Sequence, residues 1–141
     1  MKPVFSPSRA FIEEVERTFS IAYPPAFHAF CERYEAADIL SDYPQLPRGK
    51  FIDDIPGLVA ANVEIGSGTW GDYEMAIAGK YHPKDGTRFW DNVLPIYIDE
   101  TDYYGFDIKK LPSDVVVVWS VHTTVHEFPS MASWLGALPS P

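Results

Sequence analysis

Apolar side chains recur at helical spacing along the first part of the chain. Ile12, Val15 and Phe19 stand at i, i+3 and i+7, with Glu13, Glu14, Glu16 and Arg17 between them. That spacing predicts an amphipathic helix over residues 8–20, capped by Ser6 or Ser8. A second helix is expected from Pro24-Pro25, because proline suits a first turn where no amide needs a partner. Phe27, Phe30, Cys31 and Tyr34 follow the i, i+3, i+4, i+7 template. Pro24 breaks continuity, so the two form a helical hairpin. Residues 36–57 carry Pro44, Pro47, Gly49, Pro56 and Gly57 and read as irregular. A short helix is expected through Leu58-Val59-Ala60-Ala61.

From residue 72 the period changes to two. Tyr73, Met75 and Ile77 alternate with Glu74 and Ala76, and Val93 to Ile98 forms a second run. Pro95 cannot donate to a ladder and belongs at an edge or a bulge. Asp99-Glu100-Thr101-Asp102 is a polar turn, and Tyr103 to Ile108 returns as the second arm of a hairpin. Leu111 to Asp114 turns again. Val115 to Val121 is apolar on both faces, which predicts a central strand. Met131, Trp134, Leu135 and Leu138 restore helical spacing, with Phe128 positioned to staple the start and Gly136 or Pro139 to end it. Helices, then strands, then a helix is an α+β order. The expectation is an N-terminal helical hairpin, an antiparallel-rich sheet of about four to six strands, and a C-terminal helix packed on the sheet.

The 141 residues suit one domain spanning 1–141. Aromatic residues make up 15% of the chain, which argues against disorder. The start has no apolar run of signal-peptide length, and the longest aliphatic run, Val115 to Val118, is too short to span a bilayer. The single cysteine, Cys31, excludes an intrachain disulfide. The expected location is therefore the cytoplasm, with no membrane association. A net charge of −9 disfavours direct nucleic-acid binding, which needs basic groups to displace counterions. It favours a basic partner through faster encounter, or else serves solubility alone.

Few segments have the pattern of a catalytic or cofactor site. Gly66-Ser67-Gly68-Thr69-Trp70-Gly71 matches G-x-G-x-x-G, which binds dinucleotides only between a strand and a helix. Here a strand-like segment follows, and Glu64, Asp72 and Glu74 would repel phosphate. A glycine-rich turn is the simpler reading. His122 and His126 stand four apart and could share zinc on a helix. Thr123, Thr124 and Val125 favour a strand or turn instead, where those positions lie roughly 13 Å apart. Cys31 lies on an apolar stripe, where a thiol is inert, and Ser67 and Ser120 lack a nucleophile motif. No cofactor or catalytic residue is expected.

Two acidic groupings are the candidate surfaces. Asp99, Glu100 and Asp102 form an acidic tip beside Tyr103 and Tyr104. Carboxylates pair with Arg or Lys while tyrosines supply hot-spot area, so the tip suits a basic protein. The alternative is a solvated turn with one tyrosine in the core. The second grouping is Asp38, Asp42, Asp53 and Asp54, whose spacing does not match a calcium loop.

Ile12 to Tyr34 resembles the opening of the SUKH superfamily: an Ile-Glu-x-x-Glu-like helix, a proline, then aromatic positions ending in Phe-Leu-x-x-Tyr, here Phe30-Cys31-Glu32-Arg33-Tyr34. Trp90-Asp91-Asn92-Val93-Leu94-Pro95-Ile96 resembles its Trp…Pro-Ile strand, and Phe106-Asp107-Ile108 its aromatic-Asp-aliphatic strand. Val116 to Trp119 and Phe128…Trp134-Leu135 resemble its final strand and helix. Glu35-Ala36 stands where the family often has Asn-Gly. The resemblance implies an α+β fold without enzymatic activity. Bacterial members are immunity proteins that bind and neutralise polymorphic toxins, often nucleases; fungal relatives include a regulator of cell-wall assembly. It therefore implies a toxin domain with a basic surface as partner. A regulatory scaffold is the alternative, and a metal-dependent enzyme using His122 and His126 is a further one.

Overall fold

The computed structural model describes residues 3–44, 46, 49–65, 93–99, 102–120 and 123–137. The expected strand over 73–77, the glycine-rich segment 66–71, Glu100, His122 and Leu138 lie outside the described residues.

The helical hairpin forms as the periodicity predicts, with α1 at Arg9–Phe19 and α2 at Pro25–Tyr34. Ser8 is the cap of α1, its hydroxyl accepting from the Phe11 amide at 3.2 Å. Ser6 is buried and instead donates to the Cys31 carbonyl. Ser20 ends α1 in the left-handed conformation, φ 51°, with its amide returning to the Glu16 carbonyl. The Glu16 carboxylate then accepts from the Tyr23 amide and lies 2.8 Å from His28 Nε2, tying the two helices together.

Among the described residues the sheet is a five-stranded antiparallel meander in the order β1-β2-β3-β4-β5. Its strands are β1 Lys50–Phe51, β2 Val93–Asp99, β3 Asp102–Asp107, β4 Val116–Ser120 and β5 Thr123–Phe128. The register slips between Pro95 and Tyr97, so Pro95 occupies a bulge, where its missing amide does least harm. Asp99 pairs directly with Asp102, so the strands absorb both ends of the expected four-residue turn. β4 has a neighbour on each side, but β3 takes the middle position.

β1 lies in the stretch that reads as irregular. Two residues carry no period; Lys50 and Phe51 are extended because they pair with Ile98 and Tyr97. Helix α3, Ile55–Ile65, is longer than expected at both ends, beginning three residues before Leu58 and running four past Ala61. Pro56 sits in its first turn, where a lost amide proton costs nothing, and the Asp54 carboxylate accepts from the Gly57 amide at 2.6 Å. The final helix, α4, spans Met131–Gly136. Its cap is Ser130, which accepts from the Ser133 amide.

Directly paired residues of an antiparallel sheet share a face, and the faces alternate along each strand. Phe51, Tyr97, Tyr104 and Phe106 therefore stand on one side. There Phe30 of α2 meets Phe51, Phe27 meets Phe106, and Trp134 of α4 meets Tyr97 and Tyr104, with ring centroids 5.2–6.1 Å apart. Each fully buried ring contributes about 1.5–3 kcal/mol, so this aromatic layer holds helices to sheet. Lys50, Ile98 and Tyr103 form the row on the opposite side.

Candidate binding site

A cavity of about 510 Å³ lies between the start of β1, the turn into α3 and the Ile98–Tyr103 row. Three features build it. The Gly49 amide donates to the Tyr97 hydroxyl at 2.8 Å, and a Cβ at Gly49 would overlap the Ile98 carbonyl, so the loop can approach the sheet only as glycine. Beyond β1, the Ile52 amide continues the pairing to the Ile96 carbonyl. The capped first turn of α3 then aims positions 56, 57, 60 and 61 at the same space, as helical spacing requires. The floor is apolar, with Ile52, Ala60, Ala61 and Tyr103 all buried. The charged groups on the walls are Lys50, Asp53 and Asp54.

The residues singled out from the sequence divide into separate places. Asp38 caps a short 3₁₀ turn: one carboxylate oxygen accepts from the Val4 amide at 2.9 Å and the Leu40 amide at 3.0 Å. Asp42 accepts from the Tyr34 hydroxyl and from Arg33 at 3.1 Å. The Tyr34 hydroxyl is pushed up to about 12, first by burial and then by this bond. Asp38 thus fastens the irregular segment to the N-terminal segment at Val4, and Asp42 fastens it to α2. Asp54 is exposed but committed to the α3 cap. Asp53 is exposed and has no ion pair among the described residues.

The hairpin grouping splits across the sheet. Tyr103 is buried in the cavity wall. Tyr104 packs on Trp134, and its hydroxyl is raised above the ordinary tyrosine value by burial, with further contributions from the Asp99 and Asp102 charges. Those two carboxylates therefore lie near Tyr104, on the helix-covered side. The structure thus joins Tyr103 of one grouping to Asp53 and Asp54 of the other. Gly49 and Lys50 also line the cavity and carry no sequence signal, because small and polar residues around prolines look like any loop; Ala60 and Ala61 fall in the expected short helix, but nothing in their sequence says that they face a cavity.

Burial pushes the Cys31 thiol up to about 12, against a lowering bond from Ser6. It is a packing residue with almost no thiolate at neutral pH. His126 is exposed on β5. No helix among the described residues is long and apolar enough to cross a membrane. Comparison with protein-family models, curated proteins and solved structures finds no match to this chain.

Proposed function

We propose that the chain is a non-enzymatic binding protein of the immunity type implied by the SUKH resemblance, acting in the cytoplasm by stoichiometric association with a toxin domain. The observation that carries this reading is the cavity: a buried apolar floor with exposed Asp53 and Asp54 at its edge, on a chain of net charge −9. Apolar floor and anionic rim are the parts with which a protein surface holds basic side chains. A nuclease toxin needs basic surface to hold phosphate, and an acidic protein that covers that surface excludes the substrate. No cofactor takes part, and nucleic acid itself is repelled.

Affinity capture from the source cell at low and high salt, with mass spectrometry of the bound material, tests this. One basic domain in a near-equimolar complex, lost as salt rises and inactivated by added chain, supports it. Recovery of several housekeeping proteins with no toxic activity points to a regulatory scaffold and overturns it.

A further inference from the structure

Asp53 lines more than the cavity between β1 and α3. A second hollow of about 430 Å³ runs from Asp53 and Asp54 to Ser8, Phe11 and Glu14 of α1. A third, of about 210 Å³, lies between Asp53, the β1 start and the segment Pro3–Pro7. Asp53, an exposed carboxylate, is the one residue that lines all three recesses. Among the described residues, the charged lining of these recesses is Glu14, Asp53 and Asp54 against Lys50. Phe5, at the edge of the third hollow, is the large apolar side chain most open to solvent among the described residues, 44% exposed.

We propose that the surface around Asp53, rather than the Asp99–Asp102 hairpin tip, is the partner-binding face, and that it receives an arginine side chain of a basic protein partner. This rests on the reading of the chain as a binder of a basic domain. Arginine fits better than lysine for two reasons. Its planar guanidinium spans neighbouring carboxylate oxygens, and its stem lies well on apolar surface. Asp54 is already oriented by the Gly57 amide, so little ordering cost remains for that rim. Phe5 offers an aromatic ring beside the charge, where a guanidinium also stacks. The hairpin carboxylates, by contrast, lie beside Tyr104 on the other side of the sheet.

The test is a titration of the full chain, read from ¹⁵N amide shifts, with N-acetylarginine amide. N-acetylcitrulline amide, of similar shape but uncharged, is the control. The arginine probe is expected to move the Lys50, Asp53, Asp54 and Gly57 amides saturably, and the citrulline probe to move them little. Asp53→Asn keeps the fold, since Asp53 makes no cap or ion pair among the described residues, and lowers probe affinity by about two- to fivefold, the effect of one exposed charge pair. Shifts that are equal for both probes, absent from these amides, or confined to the hairpin tip overturn the proposal. Its failure is separable from that of the toxin reading. A chain that binds the probe at Asp53 but captures no basic domain keeps the face and loses the toxin. A chain whose captured toxin binds equally well to Asp53→Asn and Phe5→Ala keeps the toxin and loses the face.

Discussion

Gly105 is a position where one methyl group has a large foreseeable effect. It lies in the middle strand, opposite Pro95, beside the β2 bulge. The bulge brings the Leu94 carbonyl over it: a Cβ built there would overlap that oxygen and stand 2.5 Å from Val93 Cγ1. The carbonyl is backbone inside the sheet, so relief requires β2 and β3 to separate. Gly105→Ala gains about 0.5–1 kcal/mol from lower chain entropy in the unfolded state. Overpacking that cannot relax costs roughly 1–3 kcal/mol, and here it presses on backbone, at the upper end. The clash wins, with a net loss of about 1–2 kcal/mol and a melting temperature lower by roughly 3–10 °C. Gly136→Ala is the matched control, because a Cβ there meets nothing within 4 Å; helix propensity alone then raises stability by up to about 1 kcal/mol. Thermal and urea denaturation of both variants decide the matter. If Gly105→Ala melts within a degree of the parent, or the two variants shift alike, the close approach across the bulge is not real.

The tie made by Asp38 predicts that Asp38→Ala loses about 1–2 kcal/mol, since two amides lose their acceptor. Asp38→Asn, which keeps an oxygen there, recovers most of this in urea midpoints; equal losses would mean that the tie is not a hydrogen-bonding one. Burial and the Asp99 charge hold the Tyr97 hydroxyl up to about 12 against the Gly49 amide, while the unfolded side chain titrates near 10. Between those values the unfolded state binds fewer protons, so stability is complete below pH 10 and falls as pH rises toward 12. Absorbance at 295 nm should show fewer than the eight tyrosines ionising near pH 10, and the urea midpoint should drop from pH 9 to pH 11. Ionisation of all eight near pH 10 with an unchanged midpoint contradicts the burial assignment.

Sequence alone was enough for whatever depends on local periodicity. The stripe Ile12, Val15, Phe19 and the ladder Phe27, Phe30, Cys31, Tyr34 define two helices whatever surrounds them, because a face repeating every 3.6 residues can be buried only as a helix. The prolines mark where α2 starts and where β2 bulges, since a missing amide proton is tolerated in few places. The run of valines demands a neighbour on each side. Tertiary structure decided what depends on partners far away in sequence. Lys50 and Phe51 are a strand only because residues 97 and 98 pair with them. Asp38 and Asp53 are both aspartates among loop residues, yet one is bound by the Val4 amide, 34 positions away, and the other faces solvent. Adjacent tyrosines 103 and 104 have opposite surroundings because a strand sends neighbouring side chains to opposite faces, and which face packs against Trp134 and which lines the cavity beside α3 depends on how the sheet is covered. A side chain's type sets which bonds it can form; the folded backbone sets which of them are within reach.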